Sequence, residues 1–310
     1  MFKKDNKSYE TVLKYNMILD IPNIKYIKEL DKNKINNMKF GNEILNFYKV
    51  LITLRDVDLS YLYLNIENLK SQNIGSLIGE KARAGYSVRN NSIVFKDYFN
   101  SNEIYHELLH LSSSTFDRGR LCEFCGFSQY NYILNIKIGT SLNEGCTEYL
   151  NEKLFNNQSN VYIIEQNFAK AVEQIVDPVV MKKLFFKANL KELVDILSRY
   201  SDIDKTLEFI ESLDYISNNS NKIFNKEKLN KKVYDVINKI IEYLINAYLT
   251  KLNIDLNNSS ISRDEYDNNI EEFINNLGFF NYYTENKSYP MRFISRRKVL
   301  KIYKKIIKNR

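Results

Sequence analysis

Tyr105-His106-Glu107-Leu108-Leu109-His110 contains the only two histidines of the 310-residue chain, and its reading decides the fold. Two side chains four apart on a helix project from one face, a turn apart. At that spacing two imidazoles from one rigid element grip a single Zn²⁺. The glutamate beside the first is then placed to take a proton from a metal-activated water. Around the same helix, Ile104, Tyr105, Leu108, Leu109 and Leu111 cover nearly all the remaining circumference. A helix apolar almost all round is a buried one, where each unpartnered polar group costs roughly 2–7 kcal/mol. A metal facing a water-filled cleft satisfies all three polar residues together. The plainer alternative is two core histidines bonded to backbone carbonyls, with Glu107 solvated.

A third ligand has to come from another element. Downstream, Leu142-Asn143-Glu144-Gly145-Cys146-Thr147-Glu148-Tyr149-Leu150 puts Leu142, Cys146, Tyr149 and Leu150 on one helical face. Glu144, Glu148 and Glu152 run down the other. Such an acidic stripe is commonly no more than solvated. As metal machinery, one carboxylate ligates and another accepts the far N–H of an imidazole, fixing its tautomer. Spacing does not choose between Glu144 and Glu148 as the ligand.

His-Glu-x-x-His followed by Asn-Glu-x-x-x-acid resembles the gluzincin class of zinc metallopeptidases. The resemblance implies that Glu144, after Asn143, ligates the metal and that Glu148 supports a histidine, with glutamate in place of the usual aspartate. The 33 residues between His110 and Glu144 exceed the gap of thermolysin-like enzymes and come nearer that of clostridial neurotoxin light chains. A closer likeness is to a little-characterised group of bacterial zincin-like proteins. These combine Ile-Tyr-His-Glu-Leu-Leu-His, Gly-Phe-Ser-Gln and Leu-Asn-Glu-Gly-x-Thr-Glu, which stand here at residues 104–110, 126–129 and 142–148. The likeness spans about residues 80–200.

Upstream, apolar residues from Asn42 to about Leu54 recur at helical spacing. Leu59–Leu69 fits helix and strand alike. Between Ala84 and Lys96, Tyr86, Val88, Ile93, Val94 and Phe95 flank the turn chemistry of Arg89-Asn90-Asn91, which predicts a β-hairpin. It is either purely structural or an edge to which an extended peptide adds. Asn100 with Glu103 resembles a capping box opening the histidine helix. The segment from His110 to Gly126 reads as irregular. Its Cys122-x-x-Cys125 lacks the two further ligands of a structural zinc, since only Cys146 is left, and reads as free thiols. Farther on, periodicity predicts helices over Ile163–Val176, Val179–Leu197, Val233–Leu252 and Asp267–Leu277, the last with Gly278 as C-cap.

Gly 9 and Pro 3 are low counts that leave few helix breakers, and 44% apolar side chains bury a large core. Three cysteines fit a reducing compartment. The polar N-terminus shows no secretory signal, and no apolar run reaches the roughly 18 residues of a membrane span. A cytoplasmic protein is the expectation, with leaderless export also open. The net charge of +7 sits in the tail: residues 286–310 hold ten Lys/Arg and no acid, leaving 35 basic and 38 acidic groups elsewhere. The stretch from Arg292 mixes those cations with Phe293, Ile294, Val299, Leu300, Ile302, Tyr303, Ile306 and Ile307. It reads as a packed terminal helix, or else residues 291–310 lie on an anionic membrane surface or, with weaker signal, on nucleic acid.

These observations predict an α+β, mostly helical zincin-like metallopeptidase. Residues 1–75 would pack outside, 76–215 would form the catalytic domain with a small N-terminal sheet, active-site helix and helical lobe, and 216–310 a helical extension. The expected activity is hydrolysis of a peptide or protein substrate. One Zn²⁺ would sit on His106, His110 and Glu144 with an open fourth position, Glu107 as general base and Glu148 behind the ligands. With no third histidine, a tyrosine or arginine must stabilise the oxyanion, and 23 tyrosines single none out. The alternatives are a zinc-stabilised binding protein without turnover, and a membrane or nucleic-acid module acting through the basic tail.

Overall fold

Burial of one stripe per helix explains the first third of the molecule. The computed structural model describes residues 17–22, 30–73, 84–95, 101–217, 231–284 and 287–309. It begins with helices α1 (Lys32–Asn36), α2 (Gly41–Leu51) and α3 (Ser60–Glu67). On α2 the buried Ile44, Phe47 and Leu51 fall three and four apart, as the sequence pattern requires. The ambiguous 59–69 run is helical because Tyr61, Leu62, Asn65 and Ile66 are the positions its surroundings bury, and that spacing suits only a helix.

Strands β1 (Lys70–Asn73), β2 (Ala84–Ser87) and β3 (Ser92–Phe95) form a sheet of order β1-β3-β2. β2 and β3 make the anticipated hairpin, with Tyr86 opposite Ile93, and β1 joins β3 in parallel. Asn91 holds φ +46° in the turn, a left-handed conformation that asparagine tolerates. β2 is an outer strand, with one side unpaired among the described residues. Helix α4 (Ser101–Ser112) follows and carries both histidines. The suggested cap at Asn100 lies outside the described residues.

The segment after α4 departs from expectation. Instead of irregular chain, β4 (Ser114–Asp117), β5 (Cys122–Cys125), β6 (Ser128–Asn131) and β7 (Ile136–Ile138) form a four-stranded antiparallel meander. Each strand has three or four residues, too few for apolar alternation to register in sequence. Tertiary contact holds the meander instead: Cys122 and Phe124 bury against Tyr61 and Ala188.

Helices α5 (Thr140–Phe155), α6 (Ile163–Val176), α7 (Pro178–Phe186), α8 (Leu190–Ser198), α9 (Ile203–Ser217), α10 (Lys231–Asn257) and α11 (Arg263–Asn276) make up most of the remainder. The single run expected over 179–197 is two helices. Ala188 takes φ +53° between them, and Asn189 caps α8 by accepting the Glu192 N–H. α11 starts before Asp267 because Ser262 and Glu265 form a reciprocal capping box. Gly278 follows it at φ +74°, in its expected role. An unanticipated hairpin comes next, β8 (Phe279–Thr284) and β9 (Lys287–Arg292), so the terminal helix α12 starts only at Arg296 and runs to Asn309. α12 buries Val299 and Ile306 and leaves its cations outward. One apolar core runs from Ile18 to Ile306. Among the described residues no helix is long and apolar enough to cross a membrane.

Candidate metal centre

α4 is buried through Ile104, Leu108, Leu109 and Leu111, none above 1% exposed. Its C-terminal carbonyls need outside donors. The Asn65 amide supplies them, donating to the Leu111 and Ser114 carbonyls at 2.8 Å each. Asn91 in turn donates to the Asn65 carbonyl, and the Tyr86 hydroxyl donates to Asn91 Oδ1. α3, the small sheet and the histidine helix are thus locked by one polar chain.

α5, which carries Glu144, is fixed by two different means. Its N-terminus has no cap of its own, since Gly139 precedes it at φ +78°. The Asp214 carboxylate from α9 accepts both the Gly139 and Ser141 N–H groups at 2.8 Å, acting as a remote cap. A turn later, Gly145 lets α6 approach: a Cβ there would lie 2.2 Å from the Glu165 carbonyl oxygen. Glu144 therefore sits on a helix set at both its start and its flank.

The three proposed ligands converge. His106 Nε2 and His110 Nε2 lie 3.1 Å apart, and each is 3.3 Å from Glu144 Oε2. Zinc bonded to nitrogen and oxygen at about 2.0–2.1 Å in a tetrahedron has ligand–ligand edges of about 3.3–3.4 Å. The donor set fits that ion in type and in spacing. Burial alone would depress the histidines, but the acceptors around them prevail and hold His106 up at about 9 and His110 well above its ordinary value. The site favours positive charge between these side chains.

Behind the ligands stand residues of two kinds. His106 Nδ1 lies 2.8 Å from Glu148 Oε2, so the N–H donates to a carboxylate, as anticipated. Among the described residues, no carboxylate stands at the far nitrogen of His110. Its Nδ1 faces Asn143 Nδ2 at 3.3 Å, Thr147 Oγ1 at 3.4 Å and Cys125 Sγ at 3.5 Å. Thr147 donates to the Asn143 carbonyl, leaving its oxygen to accept the imidazole proton. Cys122 and Cys125, three apart on β5, point to opposite faces of the strand and are free thiols, as read from the sequence.

Glu107 is 7% exposed, and burial raises its pKa against the opposing pull of His106 and His110. The Tyr86 backbone N–H donates to its carboxylate, so the outer strand β2 runs beside it. Opposite stands Tyr162, whose ring stacks on His106 with centroids 5.9 Å apart at 16°. The charge of Glu144 first, then burial, then Glu107, hold its hydroxyl far above the ordinary tyrosine range. Its backbone sits at φ +53°, a conformation uncommon outside glycine and asparagine.

His106, His110, Glu107, Glu144 and Glu148 thus all meet at one place. Sequence reasoning did not find Tyr162, Thr147, Asn65 or Asp214. Thr147 stood inside a quoted motif without a role, and the others carry no local pattern. Comparison of the chain with known protein families, with curated protein sequences and with solved structures finds no match in any of the three.

Proposed function

We propose that the chain is a zinc-dependent peptidase in which Glu107 is the general base. The observation that carries this reading is the 3.1–3.3 Å mutual spacing of two imidazole nitrogens and a carboxylate oxygen beside a buried glutamate on the same helix. A bound Zn²⁺ supplies Lewis acidity, bringing the pKa of water at the site towards about 7 and polarising a substrate carbonyl. Three protein donors leave a fourth position open, which is the pattern of catalytic rather than structural sites. Glu107 accepts the proton of the attacking water and delivers it to the leaving amine nitrogen as the C–N bond breaks. In the metal-free protein burial raises its pKa. The Tyr162 hydroxyl, kept protonated, donates to the carbonyl oxygen as that atom gains charge. An extended peptide fits along the edge of β2 that is unpaired among the described residues, with backbone hydrogen bonds aligning it past Glu107.

The test is metal analysis joined to hydrolysis of a mixed peptide library. One zinc per chain is expected, with cleavage lost on chelation and restored by Zn²⁺. Glu107→Gln should keep the metal and lose about 10²–10⁴-fold in rate. Zinc bound without cleavage of any peptide favours the binding-protein reading, and an unimpaired Glu107→Gln variant removes the mechanism.

A further inference from the structure

The β4–β7 meander has two unlike ends. At one, the Gly126-Phe127 turn joins β5 to β6, and the Phe127 N–H donates to Asn143 Oδ1, next to His110. At the other, the 118–121 and 132–135 turns lie together, joined by a 3.0 Å hydrogen bond from the Tyr132 N–H to the Leu121 carbonyl. That end displays Leu121, Ile133, Leu134 and Ile136, exposed by 42, 68, 48 and 37%. Single exposed aliphatics are ordinary, whereas three on adjoining turns with Ile136 at the start of β7 make a patch.

The patch is built and layered. Asn131 Oδ1 accepts the backbone N–H groups of both Ile133 and Leu134 at 3.0 Å, fixing the outermost turn. Leu121 keeps φ +49°, where glycine or asparagine would rest more easily. Behind the aliphatic apex, the Tyr130 and Tyr132 rings pack 4.4 Å apart. Arg89 lies over the Tyr132 ring at 5.2 Å, and Arg118 and Lys137 are exposed beside the turns. The two carboxylates of the meander are already engaged, Asp117 by Arg120 and Glu123 by the Tyr132 hydroxyl.

An aliphatic tip, a tyrosine belt and a cationic fringe follow the polarity profile met on entering a bilayer from water. A tip of two turns offers a protein partner little of the roughly 1,000 Å² that a specific interface needs, whereas a fluid bilayer moulds to it. We infer that this end of the meander docks on an anionic phospholipid bilayer. Leu121, Ile133 and Leu134 enter below the headgroups, and Arg89, Arg118 and Lys137 meet the phosphates. Cys125, which touches His110, is four strand residues from Leu121, so docking holds the metal cluster about 13 Å above the interface.

Vesicle flotation tests this, with phosphatidylcholine alone and with roughly 30 mol% phosphatidylserine. The full chain should float with the anionic vesicles and weakly with the neutral ones. Ile133→Asp combined with Leu134→Asp should reduce binding by about tenfold or more. Lys301→Glu with Lys304→Glu, on the exposed cationic face of α12, should leave it in place. The chain has no tryptophan, so Leu134→Trp adds a single reporter whose emission should shift to the blue on anionic vesicles and be quenched by brominated acyl chains. The inference is overturned if the wild-type chain does not float, if the double aspartate variant still binds, or if only the α12 variant loses binding. Unchanged emission from the Leu134→Trp protein overturns it as well.

Discussion

Tyr162 stacks on the His106 imidazole, and the charges of Glu144 and Glu107 bear on its hydroxyl. Removing only that hydroxyl should lower kcat by about 10²–10³ with KM moved little, because the donor acts on charge that develops late. Steady-state kinetics of Tyr162→Phe check it. His106 gives a pH prediction. Its folded pKa of about 9 stands above its ordinary 6.5, so in the metal-free protein its hydrogen bonds contribute full stability below about 6.5. That contribution fades as pH rises through about 9. Metal and proton compete for the same nitrogen, so the loaded protein should behave oppositely and gain metal affinity over that window. Thermal melts between pH 6.5 and 9, with and without zinc, should therefore slope in opposite directions. At this scale the His106–His110 pair was legible because metal chemistry needs fixed helical offsets, which leave a trace in sequence, whereas Glu144 was singled out over Glu148 only by the resemblance. Tyr162 was not legible, because a residue that reaches the site from a separate loop leaves none.

Asp214 and Gly145 set the position of the Glu144 helix without touching the ligands. Asp214→Ala removes a cap serving two N–H groups and should cost about 1–2 kcal/mol in denaturant unfolding. Gly145→Ala drives a methyl against the α6 backbone and should cost about 3 kcal/mol, together with weakened zinc binding as the two helices part. A Gly145→Ala protein of unaltered stability and zinc affinity would show that the close helix approach matters little. Helices such as α2 and α6 were readable because eleven or fourteen residues repeat one apolar stripe several times. The meander was hidden by the shortness of its strands. The β8–β9 hairpin was hidden because its mixed apolar and basic residues run straight into the true helix behind it.

Across the whole molecule, α4 and α5, which carry the proposed ligands, share one continuous core with every later helix among the described residues. Chelation should therefore leave the chain folded and lower its melting temperature. At free zinc about a thousandfold above Kd the ion stabilises by about 4 kcal/mol, or roughly 10 °C for a chain of this size. Calorimetry and far-UV circular dichroism together check both halves: loss of helicity on chelation would contradict the first, and an unchanged melting temperature the second. The overall class, α+β with helices dominant, was visible in the scarcity of glycine and proline, since composition reports what the chain as a whole avoids. The remote cap also bears on biosynthesis. Asp214 lies 73 residues beyond the Ser141 amide it receives, so a nascent chain that has just exposed Glu144 still lacks the group that seats it. If the cluster holds an ion as proposed, capture at full strength must wait until α9 has left the ribosome, and a polypeptide cut short before Asp214 would emerge with its histidines ready and Glu144 adrift.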